Sequence, residues 1–106
     1  MYMKDISIRL KEHGKKDEKT AEVFIEGEFS IGYAERVKDK LLEVMEQYDR
    51  IDIKVQNLEN LDLSAIQLLV SLRKSLPVDK FKLTLILRED LKPILEHAGL
   101  NDILLN

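Results

Sequence analysis

The chain reads as an α/β protein with a four-stranded, mostly parallel sheet, and three observations predict this. Short apolar runs of period two alternate along the chain with longer stretches whose apolar positions recur every three or four residues. Helical stretches separate the second, third and fourth short runs, so those strands are joined by crossovers and lie parallel. The first two runs are joined by a short polar segment, too short for a crossover, which puts the first strand antiparallel to the second at or near an edge. About three to four helices are expected to pack on this sheet.

Each element has its own signal. Ile6 to Leu10 alternates apolar and polar residues, and Thr20 to Ile25 forms the second run after a loop containing Gly14; Gly27 then breaks it. From Ile31 to Tyr48 the positions Ile31, Ala34, Val37, Leu41, Val44, Met45 and Tyr48 place one apolar stripe along a helix, with Ser30 as its cap. Ile51, Ile53 and Val55 alternate with Asp52 and Lys54 as the third strand, and Gln56 to Asp62 reads as a polar loop punctuated by Leu58 and Leu61. A second helix spans about Ser64 to Leu76 and stops at Pro77. Phe81, Leu83, Leu85 and Leu87 form the fourth strand by alternation. Asp90 to His97, carrying Leu91, Ile94 and Leu95 and followed by Gly99, predicts a short third helix with a glycine terminator.

Composition narrows the function. With 106 residues the chain holds one expected domain, spanning residues 1–106, and its 44% hydrophobic content supports a packed core. A formal net charge of -3 supplies no positive field to gather phosphate backbones, so nucleic acid is not an expected partner. The absence of cysteine excludes disulfides and thiolate metal sites. The start of the chain lacks the apolar core of a signal peptide, and no apolar run approaches the roughly 20 residues that cross a bilayer, so a cytoplasmic protein with no membrane insertion is expected.

The most informative stretch is Asn60 to Leu69, a strand–loop–helix junction with an acid, Asp62, two residues before a hydroxyl, Ser64. Locally, Ser64 followed by Gln67 makes a capping box, and Leu63 before it staples to Leu68. A hydroxyl at a helix start also sits among unpaired N–H groups and the positive end of the dipole, where a phosphate is well accommodated, so Ser64 is a candidate phosphoacceptor. Along the second helix Ser64, Gln67, Ser71 and Lys74 form a polar stripe, Ala65, Leu69, Leu72 and Leu76 the core face, and Leu68 and Val70 the flanks. Elsewhere the signals are structural: His13 and His97 have no metal-ligand spacing and read as surface groups, and Glu26 and Glu28 beside Gly27 read as solvated charges. No phosphate-binding glycine loop, nucleophile elbow or acid pair is present, and no cofactor is expected.

On these residues the chain resembles the STAS family, and within it the bacterial anti-sigma factor antagonists. Asp62-Leu63-Ser64-Ala65 followed by Ile66 to Leu69 is similar to the family's D-S-[ST]-G signature and the apolar helix after it; Gly27-Glu28-Phe29-Ser30 resembles G-E-L-D, and Ala98-Gly99-Leu100 resembles T-G-L. The chain differs from these patterns at Leu63, Ala65 and Ser30. The resemblance implies a non-enzymatic binding module whose partner is an anti-sigma factor serine kinase or another STAS-binding protein. Ser64 would be its phosphoacceptor, and Ser30, Asp62, Leu63, Ser64, Ala65, Gln67, Leu68 and Ser71 its partner-binding residues. Leu63 and Ala65 favour an alternative, a STAS scaffold subunit that is not phosphorylated, in a lipid-transport ATPase or chemotaxis-type assembly. A third reading, an enzyme or small-ligand binder of similar build, needs a pocket of convergent polar groups that the sequence does not display.

Overall fold

In the computed structural model, which describes residues 5–15, 18–75, 77 and 79–97, the chain runs β1 (Ile6–Lys15), β2 (Glu18–Phe29), α1 (Ile31–Gln47), β3 (Arg50–Leu61), α2 (Leu63–Ser75), β4 (Phe81–Leu85) and α3 (Lys92–His97). The strands form one sheet in chain order. β1 pairs antiparallel with β2, from Ile6 opposite Gly27 to Lys15 opposite Glu18, while β2–β3 and β3–β4 are parallel. The expected α/β class, including its antiparallel first strand, is the fold the chain adopts.

Alternation decides which face of the sheet is covered. Ala21, Val23, Ile25 and Phe29 of β2, Ile51, Ile53 and Val55 of β3, and Phe81, Leu83 and Leu85 of β4 are buried. They form one core with Val37, Leu41 and Val44 of α1, Ala65, Ile66, Leu69 and Leu72 of α2, and Leu95 of α3. Parallel strands covered on both faces read as continuous apolar runs; these alternate because their second face meets water. On that face Arg9, Lys11 and Lys54 lie over the Phe24 ring at 4.9, 5.6 and 5.6 Å, replacing a second apolar layer with cation–π contacts.

The carboxylates of this open face are organised rather than merely solvated, which corrects the expectation for Glu26 and Glu28. Glu26 accepts hydrogen bonds from Asn57 Nδ2 (2.7 Å), Arg9 Nη2 (2.8 Å) and Gln56 Nε2 (3.2 Å). Glu22 accepts from Lys54 Nζ at 2.8 Å and lies 3.4 Å from His13 Nε2. Both carboxyls are held below their ordinary range, Glu26 chiefly by the Asn57 hydrogen bond and Glu22 chiefly by that from Lys54. Glu28 accepts from Asn60 Nδ2 at 3.1 Å, and its other oxygen, Oε2, is buried without a partner among the described residues.

One irregularity moves two element boundaries. Gly27 does not end the second strand; it is a bulge with φ 98, after which β2 continues to Phe29. Across from it, Ile25 pairs with Val55 but Gly27 with Leu58, Glu28 with Asn60 and Phe29 with Leu61, so β3 accommodates extra residues there. Asn57, at the first of the two shifts, has φ 50, a conformation Asn tolerates better than most residues. The expected loop from Gln56 to Asp62 is therefore mostly strand, with Leu58 and Leu61 buried; the inserted residues hide them from a period-two pattern. β1 likewise extends through Gly14, paired with Lys19 at φ 103, where a loop was expected. Two boundaries shrink: β4 ends at Leu85 although Leu87 stays buried, and α3 begins at Lys92. Leu76 and Gly99 lie outside the described residues.

The bulge sets a stringent requirement at Gly27, where an added Cβ would collide with the Asp5 carbonyl oxygen as well as adopt a positive φ. Gly27→Ala is expected to destabilise the fold by roughly 1–3 kcal/mol in urea denaturation. An alanine variant as stable as the parent would contradict the bulge.

Candidate functional site

The register Phe29 opposite Leu61 brings two helix starts together. Each of these buried residues ends its strand, and each strand passes through one connecting residue, Ser30 or Asp62, into a helix. Ile31 and Leu63 are thus the first residues of two helices that begin beside each other. Asp62 is held in place by its backbone: its N–H donates to the Phe29 carbonyl (3.2 Å), and its own carbonyl accepts the Ile66 N–H (3.1 Å) as the first bond of α2.

The Asp62 side chain caps both helices. Oδ1 accepts the Ala65 N–H at 3.0 Å, a bond to the third residue of α2, and Oδ2 accepts the Ile31 N–H at 2.7 Å, at the first residue of α1. Helix starts carry unpaired N–H donors and a partial positive charge, and a carboxylate between two of them answers both. Ser30 has an extended backbone, and its carbonyl accepts the Tyr33 and Ala34 N–H groups at 2.9 Å each, but its side chain makes no capping bond. The expected cap of α1 is therefore replaced by Asp62, reaching across from β3.

The expected cap of α2 is corrected for the same reason. Ser64 is not the N-cap: the helix begins at Leu63, so Ser64 is its second residue, and neither the Ser64–Gln67 capping box nor the Leu63–Leu68 staple describes this helix start. A serine hydroxyl in that role would serve α2 alone, whereas the Asp62 carboxylate has one oxygen for each helix.

The surface around this junction is mixed. Leu63 is 56% exposed and Ile31 74% exposed, and Ser64 is half-buried. Gln67, Ser71 and Lys74 are exposed and form the expected polar stripe of α2. Leu68 and Val70 pack partly against the core, and Ala65 is fully buried on the core face expected for it, which leaves its side chain covered although the resemblance also counted it among the partner-binding residues. Ile31 is the opposite correction. Its place in the apolar stripe suggested burial, but the stripe of α1 becomes buried only from Val37 onward. Beside it, a Cβ added at Gly32 would meet nothing within 4 Å.

A shallow cleft lined by Asn57, Leu58, Glu59, Ile86, Leu87 and Arg88 lies at the same end of the sheet, beside the end of β3. Among the described residues no group of three His, Cys, Asp or Glu side chains could hold a metal ion. His13 lies in β1, and His97 is exposed at the end of α3. A cleft of about 220 Å³ lined by Met45, Tyr48, Ile51, Pro77 and Phe81 lies at the other end of the sheet, where β3 and β4 begin. No described helix is long and apolar enough to cross a membrane.

A family model described as STAS domain matches residues 15–106. No curated protein matches the chain.

Asp62→Ala should release both helix starts at once. The expected loss is about 2 kcal/mol in urea denaturation, roughly twice that of an ordinary single cap. A loss below about 0.5 kcal/mol would show that the carboxylate does not hold the two helices.

Proposed function

The chain belongs to the STAS domain family, and from that membership we propose that it is a regulatory, non-enzymatic protein-binding module that docks through the start of α2 and is switched by phosphorylation at Ser64. STAS domains are found in anti-sigma factor antagonists. On this reading the partner is an anti-sigma factor serine kinase or a related switch protein in the cytoplasm. The nucleotide and its metal ions then belong to the partner, since phosphoryl transfer needs phosphate and metal ligands of a kind this sequence does not display.

The observation that carries the proposal is the exposure pattern of the first turn of α2: Leu63 projects into solvent, Ser64 beside it is half-buried, and the polar stripe of Gln67 and Ser71 continues along the same helix. Covering an apolar side chain such as Leu63 contributes about 1.5–3 kcal/mol to docking. A phosphate dianion on Ser64, two residues from the Asp62 carboxylate, would have to be desolvated against the partner, which costs several kcal/mol. The charge term outweighs the apolar one, so modification releases the partner.

The scaffold reading has one observation in its favour. Leu63 stands where the family signature has a hydroxyl, and a permanently exposed leucine suits a constitutive contact. In that case the partner is a subunit of a larger assembly and Ser64 is never modified.

Ser64→Asp is expected to weaken partner binding by at least roughly 3 kcal/mol, about a hundredfold, while Ser64→Ala binds like the unmodified protein and resists release. Because Asp62 is the cap, Ser64→Ala should leave stability within about 0.5 kcal/mol of the parent. Isothermal titration with the partner recovered alongside the protein reads the affinities, and mass spectrometry of the recovered protein reads the state of Ser64. Equal affinity of the two variants, with no phosphate on Ser64, would favour the scaffold.

A further inference from the structure

We infer that the outer edge of β1 is a docking site for an extended acidic strand of a partner protein, one that alternates carboxylate and apolar side chains and joins the sheet beside β1. This edge is separate from the Ser64 surface, and the inference does not rest on the switch reading.

The backbone sets the kind of occupant. β1 is ten residues long, carries no proline and, among the described residues, pairs with β2 alone. The Asp5 carbonyl accepts the Glu28 N–H at 2.9 Å, and the bonds of an antiparallel ladder alternate from residue to residue. Arg9, Lys11 and His13 therefore bond their backbones to β2, opposite Phe24, Glu22 and Thr20, whereas the backbones of Ile6, Ile8, Leu10 and Glu12 turn away from the sheet. The Asp5 side chain agrees with this phase: its Oδ1 accepts the Ile6 N–H at 2.7 Å, so the first outward donor already holds a carboxylate oxygen. From Ile8 to Glu12 the outward N–H and C=O groups form the open half of a ladder, which an extended chain completes.

The side chains set its chemistry. Ile8 packs partly against the core and Leu10, next on the same face, is exposed, so apolar side chains on an added strand continue the layer on the helix side. The opposite face of β1 is basic. Arg9 and Lys11 are exposed over the Phe24 ring, and His13 is exposed beyond them. Arg9 and His13 also reach Glu26 and Glu22 on the β2 side, but Lys11 has no ion pair among the described residues. An added strand meets this row of cations from the other side, and opposite charges directly across favour pairing.

A second copy does not fit the same edge. Antiparallel self-pairing with Leu10 opposite Leu10 sets Arg9 against Lys11, and a shift of one pair in either direction sets Arg9 against Arg9 or Lys11 against Lys11. Basic side chains on an edge guard against such pairing. A guard of one sign leaves the edge open to a strand of the other sign, and that selects the acidic partner.

The test uses the full-length, isotope-labelled chain and two blocked octapeptides, one alternating valine with glutamate and one alternating valine with lysine. On titration with the glutamate peptide the Ile8, Leu10 and Glu12 amides should move in the NMR spectrum, because their outward N–H groups gain acceptors. Those of Arg9, Lys11 and His13, already bonded to β2, should move much less. The lysine peptide should bind at least about tenfold more weakly. Leu10→Pro removes an outward N–H that β2 does not use, so it should keep the β1–β2 ladder and weaken binding of the glutamate peptide at least about tenfold. Lys11→Gln leaves the backbone intact and should weaken it about threefold, which decides the matter even if the proline unfolds the strand. The inference is overturned if the β1 amides ignore the glutamate peptide, if both peptides bind alike, or if either folded variant binds like the parent. Shifts of the same amides with protein concentration alone, without peptide, would show a second copy on the edge and would equally overturn it.

Discussion

The carboxylate of Asp62 is the interaction on which the functional end of this molecule depends. Two helices that start beside each other bring two sets of unpaired N–H groups and two positive dipole ends together, an arrangement unfavourable by itself. A single anion with one oxygen per helix turns that liability into a joint. The backbone of the same residue is also bonded on both sides, to Phe29 and to Ile66, so the joint sits on the sheet rather than on a flexible loop. Exposed Ile31 and Leu63 and half-buried Ser64 surround it, at the level that the pairing of Phe29 with Leu61 sets.

Upstream of the joint, the bulge at Gly27 does the aligning. Without the residues accommodated opposite it, Phe29 would not face Leu61 and the two helices would not start at the same level. Gly27 and Asn57 both adopt positive φ to permit this, and the side chains beside them are tied together: Asn57 and Gln56 to Glu26, and Asn60 to Glu28. Further along the same edge, Arg88 holds both oxygens of Asp90 and the Glu59 carbonyl, fastening the turn after β4 to the end of β3. The open face of the sheet therefore serves as a rigid backing for the junction, with its charges largely committed to one another.

Much of the architecture was legible because one side of the sheet faces water. Strands buried on both faces are hard to tell from buried helices, whereas Ile51-Asp52-Ile53-Lys54-Val55 announces its geometry directly. What escaped was long-range. The bulge breaks the alternation between Val55 and Leu61, so a strand segment passed for a loop. The Ser64–Gln67 spacing satisfies a local capping pattern, but the deciding donor is Ile31 N–H, 31 residues from Asp62, and no local pattern contains it. Ile31 itself has the helical spacing of a core residue; only the fold reveals that α1 reaches the core from Tyr33 and Ala34, partly buried, and fully from Val37, and that Ile31 stands clear of it. The Asp62–Ser64 pair, by contrast, was visible as an acid and a hydroxyl at a strand–loop–helix junction, and the structure assigns capping to the acid and holds Ser64 half-buried in the first turn of α2.

Hydrogen exchange of the unmodified protein tests the two-helix carboxylate most directly. First-turn amides of helices ordinarily exchange fast, having no intrahelical acceptor. If Asp62 holds both starts, Ile31 and Ala65 will exchange at least about tenfold more slowly than Gly32, Leu63 and Ser64 in the same turns. Comparable rates at all five positions would mean that the carboxylate bridges nothing, and that the junction is two separate helix ends.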